Sequence, residues 1–170
     1  MPIPAPLVDI TESVQIEAPP DVVWQLVTDV KRHTEFAGPK SITKVIEFDG
    51  PPHVGDRWIA HERFGPQKFD APSDVTTLEP EREFAWVSYP PFKEEKRGDG
   101  GRVLWSYVLE PAGSGTHLAH SMQVIPPEKG ATGMKLMYAV LGLPKKQRAG
   151  ILSTLSAIKA AAETRAPTAS

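Results

Sequence analysis

Apolar and polar residues alternate from Val8 to Glu17: Val8, Ile10, Val14 and Ile16 share one side and Thr11, Ser13, Gln15 and Glu17 the other, with Glu12 as the odd member of the apolar row. A period of two is that of a half-buried strand. Ala18-Pro19-Pro20-Asp21 stops it, and Pro20 or Asp21 suits the first turn of a helix, where a missing N–H costs nothing and a carboxylate faces the positive end. That helix carries Val23, Trp24, Val27 and Val30, and a second short helical piece spans Lys31 to Phe36 before Gly38-Pro39. Strands then follow at Ser41–Asp49, Asp56–Phe64, Lys68–Leu78, Arg82–Tyr89, Arg102–Glu110 and Thr116–Ile125, separated by Gly- and Pro-containing turns. Pro72 implies an edge position or a bulge in its strand. Short connections predict antiparallel neighbours. The long exception, Pro90 to Gly101, holds Lys93, Glu94, Glu95, Lys96 and Arg97 and reads as a solvated hairpin tip.

The end of the chain is helical. Met134, Met137, Tyr138 and Leu141 form one stripe at helical spacing, Gly142-Leu-Pro144 interrupts it, and Ile151, Leu155, Ile158 and Ala162 form a second. Residues from Thr164 to Ser170 should fray. The fold class is therefore α+β: about seven antiparallel strands, two short helices after the first strand, and a long C-terminal helix. With no internal repeat, residues 1–170 are expected to form one domain with an ordered core at about 8–163.

Charge narrows the functional classes. The chain has 19 basic and 21 acidic residues, so a basic nucleic-acid-binding surface is not expected. It contains no Cys, which removes disulfides, thiolate nucleophiles and cysteine-ligated metals. No run approaches the roughly 18 apolar residues of a membrane span, and Met1 to Val8 has no basic leader region, so a cytoplasmic protein without stable membrane insertion is expected. His117 and His120 sit at i and i+3 on a strand and face opposite ways, so they do not share a metal. The Gly-x-Gly-x-x-Gly, phosphate-loop, His-Glu-x-x-His and Gly-x-Ser-x-Gly patterns are absent. Neither a metal nor another cofactor is expected.

The remaining candidate chemistry lies on strand faces. Trp58, Ala60, Glu62 and Phe64 share a face; so do Val103, Trp105, Tyr107 and Leu109, and likewise Leu118, His120 and Met122. Each apolar face carries a polar group. An unpartnered buried polar group costs about 1–3 kcal/mol, so Glu62, Tyr107 and His120 either bond one another inside an ordinary core or line an internal cavity. Their recurrence from strand to strand favours the cavity. Trp58, Trp105, Tyr107, Met122, Met134, Met137 and Leu141 are then its expected wall. Glu62 and His120 would orient a ligand and titrate as a coupled pair, and the mouth would lie near Met134–Leu141.

Ile16-Glu-Ala-Pro-Pro-Asp21-Val-Val-Trp24, Thr28-Asp29-Val30, Val54-Gly-Asp-Arg-Trp58, Leu78-Glu-Pro80, Trp105-Ser-Tyr107-Val-Leu-Glu-Pro111 and Gly115-Thr116, in this order, resemble the SRPBCC or START-like superfamily, in particular its polyketide cyclase/dehydrase and lipid-transport branch. The resemblance spans about residues 8–163. It implies a helix-grip fold, a curved sheet wrapped around the C-terminal helix over a deep apolar cavity, and a hydrophobic small-molecule ligand that is lipid-, sterol- or polyketide-like. It leaves open whether the chain is an enzyme. A polyketide cyclase, aromatase or dehydratase using Tyr107, His120 and Glu62 is the alternative, and a protein-partner module resembling chaperone activators is a third.

Overall fold

The computed structural model describes residues 5–38, 41–46, 48–89 and 101–166. Strand β1 (Val8–Ile16) leads into α1 (Pro20–Thr28), a 3-10 turn (Val30–Arg32) and α2 (His33–Phe36). Strands β2 (Ile42–Ile46), β3 (Arg57–Phe64), β4 (Gln67–Glu79), β5 (Glu83–Ser88), β6 (Arg102–Ala112) and β7 (Gly115–Ile125) follow, then α3 (Ala131–Leu141) and α4 (Leu143–Arg165). The seven strands form one antiparallel sheet in the order β1-β7-β6-β5-β4-β3-β2. One face of this sheet shares a core with α1, α2 and α4, the helix-grip arrangement. The connection read as Pro90–Gly101 lies, apart from Gly101, outside the described residues.

Local chemistry accounts for the elements. Pro20 and Asp21 occupy the first turn of α1, whose Val23, Leu26 and Val27 are buried. The β6–β7 hairpin turns at Gly113, with φ at 62°, a backbone region that favours glycine. Gly115 is fixed by proximity instead: a Cβ there would lie 2.3 Å from the Ile16 carbonyl oxygen. On α4 the stripe Ile151, Leu155, Ile158 and Ala162 is buried against the sheet. At the helix ends Arg148 pairs with Glu12, and the Glu17 backbone N–H donates to the Glu163 carboxylate at 2.9 Å. Gly142, at φ 60° and ψ 34°, separates α3 from α4, in agreement with the break expected there.

Two details correct the expected pattern. Pro72 lies in β4, an interior strand of the sheet, and the register shift falls between Val75 and Thr77. Pro72 is tolerated because it sits where the ladder to β5 ends. Its carbonyl accepts from Tyr89, one residue past that strand, and its missing N–H faces the same side. At the C-terminus α4 continues through Thr164, whose hydroxyl donates to the Ala160 carbonyl at 2.8 Å, to Arg165.

Candidate functional site

The register of β5, β6 and β7 builds an aromatic wall on the core face of the sheet. Phe84 opposes Tyr107 and Tyr107 opposes His120; one row along, Trp86 opposes Trp105 and Trp105 opposes Met122. Directly opposed residues of antiparallel strands share a face. The Tyr107 and His120 rings consequently stack, 4.2 Å apart between centroids and 18° from parallel. Trp86 sits at the centre, 5.5 Å from Tyr107, 5.1 Å from Phe84, 6.1 Å from Trp105 and 6.0 Å from Trp58.

His33 enters this wall from α2. Its Nε2–H donates to the Val27 carbonyl at 2.8 Å, and its ring centroid lies 5.4 Å from Trp86 and 6.2 Å from Tyr107. The strand-face reading omits His33, Phe84 and Trp86. Period-two alternation of Phe84, Trp86 and Ser88 is a signal that identifies the latter two. His33 has no such signal, because one of three polar residues on a four-residue helix acquires its role only from where that helix lands.

Burial sets the protonation states. Burial pushes His120 down to about 4, opposed by its Nδ1–H bond to the Ser106 carbonyl at 2.9 Å and aided by His33 nearby. Burial likewise lowers His33, against the Val27 carbonyl bond, and raises the Tyr107 phenol far above its ordinary range. At neutral pH the wall therefore carries two neutral imidazoles and a neutral phenol. His120 Nδ1 is committed as a donor, which leaves Nε2 as the acceptor nitrogen. Among the described residues the Tyr107 hydroxyl makes no hydrogen bond.

Glu62 belongs elsewhere, which corrects the expected coupling with His120. Glu62 opposes Phe69 on β4, whereas Tyr107 reaches β4 through Phe84 opposite Leu78. Phe69 and Leu78 are separated by about 26 Å of strand, at roughly 3.3 Å per residue with one residue absorbed by the bulge. Glu62 is half-buried, burial raises its carboxyl to about 7, and no described residue bonds or pairs with it. Its unfolded value is near 4.5, so ionisation costs the fold nothing below pH 4.5 and progressively more as pH rises through 7. Glu62→Gln is expected to gain on the order of 2 kcal/mol at pH 8 and almost nothing at pH 4. Urea unfolding of both proteins at the two pH values measures this; equal differences at both would mean that the carboxyl is solvated.

The other expected wall residues divide. Trp58, Tyr107, His120 and Met122 are 2–3% exposed, and Trp105 is half-buried. Met134 and Tyr138 pack half-buried against the core, while Met137 and Leu141 face outward. Among the described residues, the rings of His33, Phe84 and Trp86 lie within about 6.4 Å of Trp58, Tyr107 or His120, where the strand faces lead one to expect an open void. Two depressions are lined by described residues. One, of about 460 Å³, runs between Leu7–Ile10 of the edge strand and Pro144, Lys145 and Arg148. The other, of about 330 Å³, is beside Leu104, Ser106 and Gln123 and also touches Trp86 and Trp105. No residue of helix α3 is fully buried and the helix is bounded by Gly130 (φ 93°) and Gly142, so moving it exposes chiefly the half-buried sides of Met134 and Tyr138. Among the described residues no group of three or more His, Asp or Glu is placed to hold a metal.

The sequence profile of the polyketide cyclase / dehydrase and lipid transport family matches residues 16–129. No curated protein matches the chain. Among solved structures, a polyketide-cyclase-like protein from Corynebacterium glutamicum is 28% identical, with 92% of this chain and 91% of that one covered and a TM-score of 0.58. An aromatase/cyclase from Streptomyces, Zhui, is 17% identical over 94% of this chain and 96% of that one, with a TM-score of 0.67. The di-domain aromatase/cyclase StfQ of the steffimycin biosynthetic pathway is 11% identical, with a TM-score of 0.68; 93% of this chain and 51% of that one are covered. At these identities Zhui and StfQ show the fold.

Proposed function

Because the chain belongs to the polyketide cyclase / dehydrase and lipid transport family, we propose that it binds an uncharged, largely apolar or aromatic small molecule against the wall of Trp86, Trp105, Tyr107 and His120, entering beneath α3. The observation that carries this reading is the Tyr107 hydroxyl. It is a neutral donor on a buried aromatic face, stacked on His120 and hydrogen-bonded to no described residue. A carbonyl or ether oxygen on a flat apolar ligand matches such a donor, and the His120 acceptor nitrogen matches a hydroxyl.

The energetics suit a weak to moderate binder. Burying about 300 Å² of apolar ligand surface contributes about 7–8 kcal/mol, and association costs at least about 4 kcal/mol. The remainder corresponds to a Kd near millimolar, which one hydrogen bond of about 1 kcal/mol tightens roughly fivefold. Native mass spectrometry of the protein purified from its own host tests the reading. At this affinity a partly occupied apolar adduct is expected, its occupancy rising when an apolar extract of the host is added back in excess, with binding about fivefold weaker in Tyr107→Phe. An adduct-free protein that also fails to bind hydrophobic probes would contradict it.

Two observations favour the alternative, a polyketide cyclase or aromatase: the Tyr107 and His120 rings stack, and Zhui has the same fold. There His120 would take a proton from a ketide carbon while Tyr107 donates to the enolate oxygen. A conjugate acid held at about 4 makes His120 a weak base for that step at neutral pH. Binding is accordingly the better-supported role.

A further inference from the structure

Helix α3 presents an outer face with no partner among the described residues. Leu136 and Val140 are 66% and 74% exposed, and Met137 and Leu141 are 47% and 49% exposed. Residues at i, i+1, i+4 and i+5 lie on one side of a helix, while Met134 and Tyr138 turn toward the core. Four adjacent exposed apolar side chains form a contiguous patch, which marks an interaction surface rather than ordinary scatter.

The charges around the patch indicate what it meets. Between Glu128 and Glu163 the sequence contains six basic and no acidic residues, although the whole chain has more acidic than basic ones. Arg148 is held by Glu12 and Lys159 by Glu163. Lys129, Lys135, Lys145 and Lys146 are exposed and form no ion pair among the described residues. On β1, next to this end of α4, Asp9 accepts from Gln123 at 3.1 Å and Glu12 is taken by Arg148. Lys129, next to the exposed Glu128, lies before the first turn of α3, and Lys145 and Lys146 lie just beyond its last, while Lys135 is on the side of the helix away from the patch.

We propose that α3 docks the protein peripherally on an anionic lipid surface, with Leu136, Met137, Val140 and Leu141 entering the headgroup–acyl boundary and Lys129, Lys145 and Lys146 at the two ends of the helix meeting lipid phosphates. An apolar helix face with basic residues at its ends is an arrangement that binds such an interface. A second copy of the chain is the poorer occupant. Two-fold pairing through α3 places the lysines of both copies around one interface, where like charges repel. No helix among the described residues is long and apolar enough to cross a membrane, so the contact is superficial. This inference rests on the exposed face of α3 and not on the ligand-binding reading. It adds that an apolar ligand would enter from a bilayer.

Vesicle flotation with the full chain and no added ligand tests it, so its failure leaves the ligand reading untouched. The protein is expected to float with phosphatidylcholine vesicles containing phosphatidylglycerol at low ionic strength and to be released by high salt. Leu136→Glu with Val140→Glu is expected to weaken binding at least about tenfold. Both positions are largely exposed, so the thermal midpoint should stay in place. Lys145→Gln and Lys146→Gln, which leave the apolar patch intact, are each expected to weaken binding about fivefold. Absence of flotation, equal binding to phosphatidylcholine alone, or a concentration-dependent dimer abolished by the glutamate variant would each overturn the proposal, the last identifying a second copy as the occupant.

Discussion

Trp86→Ala is expected to lower the unfolding free energy by about 3–5 kcal/mol, the usual cost of truncating a buried large aromatic side chain. Trp86 is buried and its ring neighbours His33, Trp58, Phe84, Trp105, Tyr107 and His120. These rings come from α2, β3, β5, β6 and β7, so no local rearrangement refills the cavity. Over a chain of this size the midpoint temperature should fall by roughly 6–20 °C. Trp105→Ala removes the same side chain from a half-buried position one strand away and should cost about half as much. Urea unfolding with fitted m-values compares the two. Equal losses would show that Trp86 is not the centre of the packed wall.

The second large effect is in acid. His120 binds a proton near 6.5 in the unfolded chain but near 4 in the native one. Its contribution to stability is therefore complete above pH 6.5 and is lost as pH falls through 4. The difference corresponds to about 3 kcal/mol, and His33 acts in the same direction. Glu62 acts oppositely over pH 4.5 to 7, so the wild-type profile flattens there and steepens below. His120→Gln should keep a polar side chain of moderate size while removing this acid sensitivity. Comparison of urea midpoints for the two proteins from pH 8 to pH 4 should show curves that converge as pH falls. Parallel curves would mean that His120 is hydrated in the native state.

The amino-acid pattern reveals much of this architecture because a period of two and a short hairpin leave few choices. The Gly113-Ser114 turn pairs Pro111 with Thr116 and hence Tyr107 with His120, so that stacked pair is legible from residue numbers alone. Strand ends fall within a few residues of expectation for the same reason. The place of Glu62 is not legible. Its face follows from alternation, but its distance from His120 depends on the length of β4 and on the shift between Val75 and Thr77. Nor does periodicity choose a face for α3. Met134 and Tyr138 turn inward, but Leu136, Met137, Val140 and Leu141 make the flank beside them equally apolar. The unexpected ring of His33 beside Trp58 has a similar origin, since it arrives on a helix whose docking no local pattern records.

The central claim, that an apolar ligand binds the aromatic wall beneath α3, is tested most directly by titrating the isotopically labelled protein with an uncharged naphthyl ketone and following amide and indole resonances by NMR. The account predicts progressive shifts of the Trp86 indole N–H and of the Tyr107 and His120 amides, together with Met134 and Tyr138 on α3, and weaker binding in Tyr107→Phe. Shifts confined to the outer sheet face around Leu104 and Gln123, or to the groove between Asp9 and Lys145, with the Trp86 indole unmoved up to the solubility limit of the probe, would contradict it.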